Sequence, residues 1–304
     1  MFNPRTKAYL MLLAVATIWG VASPIIKYTL QAFSADVFLA YRYFYATLVA
    51  IFLFFVTKNT FPKSISAILL LLLYAFLNSV VSLGFLFFGM ENTTVLDMSL
   101  ITLVTPLVVS AAGVYYLNEK ITKREKIGMF IAITGVIITI VEPMYLNGSD
   151  ILQFSGNLLI LGYVLTTTVT TVLSKKLLRM SISPLMLVNS SFIAGFVSFL
   201  SYLIWTGNLD LNQIINTPYQ FHLGVIYMAL ISGTLGFWLS TKAQKTIEIS
   251  EQSLFSYLSP IFSIPIAVIW LGEKITSIFV IGAIIIAIGV GIAEIKRARY
   301  NNKV

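Results

Sequence analysis

The sequence contains no cysteine and a single histidine, His222. Those shortages exclude disulfides, thiolate metal sites and cysteine nucleophiles, and they leave no set of imidazoles to hold a catalytic metal. Charge is scarce as well. Only 11% of residues are Asp, Glu, Lys or Arg, against about 25% in an ordinary soluble domain. Apolar residues instead make up 58% of the 304 positions, and mean hydropathy is +0.90. A water-soluble fold of this length has too little interior to hide so much apolar surface, so the chain reads as a polytopic membrane protein. The formal charge of +8 then points to loop asymmetry across a bilayer rather than to nucleic-acid binding. No GxxxxGK[ST] stretch occurs, so a P-loop ATPase is not supported.

Apolar runs near the ~20 residues needed to cross a bilayer occur ten times. They lie near 8–28, 36–57, 65–88, 94–116, 124–142, 155–175, 185–205, 222–244, 249–271 and 276–295. The first follows Arg5 and Lys7 as the core of a signal peptide would. It is too long for that and lacks a small-x-small exit, so it is read as a retained span. With the N-terminus inside, seventeen of the twenty Lys and Arg residues fall on the cytoplasmic side. Lys27 and Lys274 fall outside, and Arg42 lies within the second span. This bias predicts an N-in, C-in topology.

Sliding the chain on itself by 154 residues aligns 95–138 with 249–292 without a gap, with fifteen of the 44 positions identical. The informative matches are Ser99/Ser253, Pro106/Pro260, Glu119/Glu273, Lys120/Lys274, Thr122/Thr276, Gly128/Gly282 and Gly135/Gly289, and Asp97 faces Glu251. Upstream, an offset of 148 pairs Lys27 with Lys175, Phe44 with Phe192 and Ala46 with Ala194. Residues 1–147 and 148–304 thus form two repeats of five spans each. Five is odd, so the second copy crosses the membrane upside down. The predicted fold is an all-α integral membrane protein, ten transmembrane helices in two inverted five-helix repeats within one compact membrane domain. Secondary transporters use this plan, with substrate near the midplane between repeats.

The order and spacing of several stretches carry a family likeness. They are "TIWGVASPIIK" in span one, "LAYRYFYATL" in span two, and "LVTPLVV…LNEKIT…IG…TGV" echoed by "YLSPIFS…LGEKIT…IG…IGV". In these the chain resembles the drug/metabolite transporter superfamily, in its ten-span EamA-type branch, over essentially its whole length. It departs at Asn118, where Gly is usual before Glu119, and in an unusually Thr-rich span six. The resemblance implies an exporter of small polar or amphipathic metabolites, amino acids or related compounds first, working by alternating access in a bacterial or archaeal inner membrane. It implies no cofactor. A lipid flippase of the same fold is the alternative. A membrane-embedded lipid-modifying enzyme would need clustered catalytic groups, whereas the sequence offers one His, near the outer end of span eight, and no paired Asp within the spans. Proton or exchange coupling, and monomer or homodimer, stay open.

Candidate site residues follow from helical period. Trp19, Ser23 and Lys27 lie at i, i+4 and i+8 on one face, and the 148 shift matches them to Thr167, Thr171 and Lys175, with Tyr163 a turn earlier. Span nine carries a stripe of Gln252, Ser256, Ser259 and Ser263 beside Tyr257, and span four carries Met98, Thr102 and Thr105. Asn78 and Trp238 add polar positions on spans three and eight. Trp19, Ser23, Asn78, Thr102, Tyr163, Thr167, Trp238, Ser256 and Tyr257 are therefore the candidate substrate-binding set. Interhelical hydrogen bonding is the competing role. Pro106 and Pro260 each remove a backbone donor within a span, as a gating kink requires. Arg42 needs a partner: carbonyl ends of neighbouring helices, an anionic substrate group or an outer gate. Asp97 and Glu251 open spans four and nine, where the helix dipole favours an acid, and are also the candidate coupling residues. The small residues of spans five and ten, such as Gly128 and Gly289, permit close backbone packing, between repeats or at a dimer face. Thr122 with Glu125 has the capping-box pattern.

Overall fold

A backbone placed in hydrocarbon must satisfy its own N–H and C=O groups, which leaves helices or closed barrels as spanning structures. A computed structural model of the chain, describing residues 3–56, 62, 64–117, 123–146 and 150–294, takes the helical solution. No strand occurs among the described residues. Asn118, Glu119, Lys120 and Thr122, and with them one copy of the repeated hexapeptide and its capping box, lie outside the described residues. So do Lys58, Lys63, Lys296, Arg297, Arg299 and Lys303.

The helices are α1 (Pro4–Thr29), α2 (Ala35–Val56), α3 (Ile65–Asn92), α4 (Val95–Thr102, resumed at Thr105–Leu117), α5 (Lys123–Leu146), α6 (Ile151–Arg179), α7 (Pro184–Thr206), α8 (Tyr219–Gln244), α9 (Ile249–Trp270) and α10 (Ser277–Glu294). Among the described residues α1 to α9 are long and apolar enough to cross a membrane, and α10 is apolar but shorter. The polar connection after α7 holds a short helix of its own, Leu211–Asn216, capped by Asp210.

Local chemistry sets several of the ends. The side chain of Asn3 accepts from the Arg5 amide ahead of α1, and Pro4 occupies the first helical position, where its missing N–H costs nothing. Ser183 and Pro184 repeat that arrangement at α7, which ends on Gly207 in the left-handed region at φ 72°. Only a residue without Cβ adopts that conformation freely.

Four helices depart from regular winding. α3 and α8 contain π-helical stretches, Leu77–Ser82 and Tyr227–Gly236, which overlap under the 154-residue shift. α4 breaks at Leu103 and Val104, and α9 tightens into a 3-10 stretch at Leu254–Leu258. Pro106 and Pro260 are each the second residue of the helix that resumes after these irregularities. There the absent donor is one that no helix would pair.

α5 and α10 pack backbone to backbone. A Cβ on Gly128 would stand 2.4 Å from the Gly289 carbonyl oxygen, and one on Gly289 would stand 2.4 Å from the Ala132 amide nitrogen. Gly128, Gly135, Gly282 and Gly289 are all used in this pairing, whereas Gly291 has open space beside it. Elsewhere the interior is filled by large groups such as Phe38, Tyr43, Phe87, Met90 and Ile160, while Phe55, Leu69, Phe130, Trp205 and Ile269 stand exposed on the outside. So much exposed apolar surface suits lipid, not water.

Candidate functional site

The wound-apart middles of these helices enclose a cavity of about 230 Å³. Among the described residues its walls come from α1, α2, α3, α4, α6, α8 and α9. The α5–α10 pair and α7 contribute none of its lining.

α1 supplies Trp19 and Ser23. The Trp19 indole Nε1 donates to the Ser232 carbonyl at 3.2 Å, within the π-helical stretch of α8, and its ring tilts against Phe237 at 5.3 Å. A π turn leaves carbonyls off the regular ladder, so a side-chain donor from a neighbouring helix has somewhere to bond. Ser23 lines the wall with its hydroxyl turned onto the Trp19 carbonyl at 3.3 Å. Asn78 sits in the π-helical stretch of α3 with its amide 3.5 Å from the Ser191 hydroxyl. On α6, Tyr163 and Thr167 line the cavity, and the Thr167 and Ser82 hydroxyls share a hydrogen bond at 2.7 Å. Thr102 and Ser256 also line it, but each directs its hydroxyl to its own helix, onto the Met98 carbonyl at 2.8 Å and the Ser253 carbonyl at 2.6 Å. Pro260 is part of the wall, whereas Pro106 is not.

Two of the sequence-named residues stand elsewhere. Trp238 faces away and holds Lys242 Nζ 4.2 Å over its ring, and its neighbour Phe237 takes the cavity position. Tyr257 is likewise outside the lining, which its neighbours Phe255 and Ser256 provide. Sequence reasoning missed Gln244 on α8, which lines the cavity while its Nε2 donates to the Thr171 carbonyl at 3.0 Å. The available signal was its spacing from Thr241, a polar lining residue one turn back on the same face.

Arg42 is buried to 1% exposure and borders the cavity. Its guanidinium lies 5.2 Å from the Phe87 ring centre and 5.3 Å from that of Tyr43. It donates to no helix-end carbonyl: its Nε and Nη2 find no hydrogen-bond partner among the described residues.

The candidate coupling acids lie at opposite ends of the bundle, neither lining the cavity. Beside the start of α1, Glu251 receives Arg5 Nη2 at 2.9 Å on both oxygens, together with the Tyr9 hydroxyl. At the other end, Asp97 Oδ2 accepts from Gln153 Nε2 at 2.9 Å and Asn157 Nδ2 at 3.0 Å. Lysines brace both ends. Lys27 Nζ donates to the Met90 and Glu91 carbonyls at 3.0 and 3.2 Å. Lys175 Nζ donates to those of Gln244 and Ile247 at 2.6 and 2.5 Å. Between α4 and α9, the Ser99 and Ser263 hydroxyls bond at 2.8 Å.

The second copy of the repeated hexapeptide has a defined job. Glu273 accepts from the Val95 and Leu96 amides at 2.8 and 3.0 Å, capping α4 from the far repeat. Burial pushes its carboxyl above the usual carboxylate range, opposed by those two amides and by Lys27. Thr276 accepts from the Phe279 amide at 2.9 Å and donates to Glu142, an acid not singled out from sequence. Among the described residues no three His, Cys, Asp or Glu side chains gather as metal ligands. The arrangement is a largely apolar chamber studded with hydroxyls, amides and a few aromatic rings, with a hydrogen-bonded cluster between helices at each end of the bundle.

Known proteins place this architecture. The profile of the EamA-like transporter family matches residues 6–141 and again 154–294. The chain belongs to that family. A Bacillus subtilis (strain 168) protein described as an uncharacterized transporter, YyaM, is 25% identical over 305 residues, covering 97% of this chain and 96% of its own. A Salmonella typhimurium (strain LT2) protein described as a probable amino-acid metabolite efflux pump is 27% identical over 293 residues, covering 94% of this chain and 93% of its own. A solved crystal structure superposes on this EamA-like protein with a TM-score of 0.65 at 13% identity, over 97% of this chain and 99% of the other. That likeness speaks to the fold alone.

Proposed function

We propose that this EamA-like protein is a secondary transporter exporting small polar or amphipathic metabolites, amino acids or related compounds, across the inner membrane of a bacterium or archaeon. It works by alternating access between two inverted five-helix repeats, 1–147 and 148–304, with both termini inside. Trp19, Ser23, Asn78, Thr102, Tyr163, Thr167 and Ser256 contact the substrate.

One observation carries this reading. The 148-residue shift takes Arg5 to Gln153 and Tyr9 to Asn157, and the 154-residue shift takes Asp97 to Glu251. The Arg5/Tyr9–Glu251 cluster at one end is therefore the counterpart of the Gln153/Asn157–Asp97 cluster at the other. Each joins the first helix of one repeat to the fourth helix of the other. The lysine braces obey the same shifts, Lys27 on Met90 matching Lys175 on Gln244. Two equivalent latches between repeats, one at each mouth of a central chamber, are what a rocking mechanism needs. Glu251 closes the cytoplasmic mouth and Asp97 the outer one.

The test is reconstitution of the purified protein in liposomes loaded with labelled amino acids and related metabolites. Efflux of at least one, abolished by Trp19→Ala together with Tyr163→Ala, is expected. An absence of flux for every solute sinks the proposal.

A further inference from the structure

The cavity contains one formal charge. Among the described residues Arg42 is the sole ionisable lining group other than tyrosine, and no Asp or Glu borders the chamber. A guanidinium is not neutralised by losing a proton inside a protein. Buried carboxylates avoid their solvation cost that way; arginine cannot. A buried cation therefore normally has an anion or several acceptors around it.

Arg42 has neither. The rings of Tyr43 and Phe87 flank it, and cation–π attraction offsets only part of lost hydration. Its Nε and Nη2 are buried without partners among the described residues. The acids toward its end of the bundle are engaged elsewhere: Asp36 with Ser34 and the Val37 amide, Glu91 with the Ala35 amide, Asp97 with Gln153 and Asn157, Glu142 with Thr276, and Glu273 with the amides of α4. The one ion pair among the described residues, Arg5–Glu251, is at the opposite end. Gly233 lets α8 pack close to the guanidinium, since a Cβ there would come within 3.2 Å of Nη2. That glycine belongs to the π-helical stretch of α8, opposite Trp19.

We infer that the chamber selects organic anions: solutes with one carboxylate, held by the Arg42 fork, and an uncharged, partly aromatic body against Trp19, Tyr163 and Phe237. Two parallel N–H donors match the two oxygens of a carboxylate, so the group that arrives supplies what the fold withholds. The rest of the wall offers hydroxyls and amides, such as Asn78 and Gln252, but no carboxylate for an ammonium. Amines are repelled by Arg42. Zwitterions gain the carboxylate contact and lose hydration at an ammonium that finds no counter-charge. This inference rests on the transporter reading and narrows its substrate class, from amino acids and relatives generally to monoanionic carboxylates.

The probes are four solutes with one phenylpropyl skeleton: 3-phenylpropanoate, 3-phenylpropanamide, phenylalanine and 3-phenylpropylamine. Binding of each to the purified full-length protein is measured by calorimetry, for the native sequence, Arg42→Gln and Arg42→Lys. The native protein is expected to bind the propanoate at least tenfold more tightly than the amide or phenylalanine, and the amine not at all. Arg42→Gln levels propanoate and amide, and Arg42→Lys recovers part of the difference. Equal binding of the amine or phenylalanine, an anion preference that survives Arg42→Gln, or no propanoate binding at millimolar concentration overturns the inference. If Arg42→Gln yields no monodisperse protein, the four-solute comparison on the native chain decides alone. Liposome flux separates the two readings. Zwitterions and cations carried as readily as anions would refute charge selection and leave the transporter standing. Charge-selective binding without flux of any solute would do the reverse.

Discussion

The Gln153/Asn157–Asp97 cluster, proposed above as the outer latch, offers the sharpest test of the proposed mechanism. Asn157 is fully buried and Asp97 is 5% exposed. Asn157 Nδ2 donates to Asp97 Oδ2 at 3.0 Å and reaches the Thr139 carbonyl at 3.3 Å. Asn157→Leu keeps the number and branching of side-chain heavy atoms and removes both bonds, together with the one Asn157 Oδ1 accepts from the Thr93 hydroxyl, leaving Gln153 as the other side-chain amide on Asp97. Interhelical bonds in membranes average about 0.6 kcal/mol, but those to a charged acceptor reach about 1.5–3 kcal/mol. A carboxylate acceptor puts Asn157 in the upper range. If the latch breaks on outward opening, the open population rises by about tenfold to somewhat over a hundredfold, at one decade per 1.4 kcal/mol. The native chain has no cysteine, so Ser263→Cys reports cleanly on the α4–α9 contact that lies below the latch. Its modification by a membrane-impermeant maleimide added outside should accelerate at least tenfold in the Asn157→Leu background. Gly135→Ala, which crowds the Gly282 carbonyl in the α5–α10 pair, serves as a destabilised control. Equal labelling of the two variants at equal loss of Tm would make Asn157 a packing residue and nothing more.

Three further outcomes follow from the same geometry. Reversing Arg5→Glu should speed modification of Gln252→Cys from the cytoplasmic side, and adding Glu251→Arg should slow it again. Because the Arg5 side chain is 58% exposed, that rescue should weaken as salt rises. Gly128→Leu drives side-chain carbon into the Gly289 backbone. Overpacking costs about 1–3 kcal/mol even where a core can yield, and two abutting backbones cannot, so a large loss of Tm or of folded yield is expected on size-exclusion chromatography. Trp19→Phe keeps the ring and removes the donor to Ser232. A net hydrogen bond of about 0.5–1.5 kcal/mol predicts a two- to tenfold weaker binding constant, and a Tm largely unchanged if the carbonyl takes up water. Binding as tight as the native protein would remove Trp19 from the site.

Helical period places Trp19 and Ser23 on one wall and Tyr163 and Thr167 on another, because α1 and α6 wind regularly through the middle of the bundle. The two residues that miss the cavity follow irregular winding. A π turn holds about one residue more than an α turn, so the face of α8 beyond Tyr227–Gly236 is rotated and presents Phe237 instead of Trp238. In α9 the 3-10 stretch Leu254–Leu258 advances each residue by about 120°, and Ser256 faces the chamber while Tyr257 does not. Gly233 and Gly236 fall within the first irregular stretch and Pro260 two residues past the second, but α1 winds regularly through Gly20 and Pro24, so such residues do not by themselves mark a change of winding.

Composition, the length of the apolar runs and the repeated Glu-Lys-Ile-Thr were enough for the sequence to determine a helical membrane protein of this family. Those signals are local or additive: each span has to be long enough for a bilayer whatever packs beside it. Which groups meet across the bundle is not local. Asp97 is an ordinary first-turn acid until α6 brings Gln153 and Asn157 to it, and Glu273 is a loop residue until it caps α4. Arg42 needed a partner on sequence grounds. Only the packing of α2 against α3 and α8 decided that, among the described residues, the fold sets aromatic rings and a close-packed glycine beside it, and no acid.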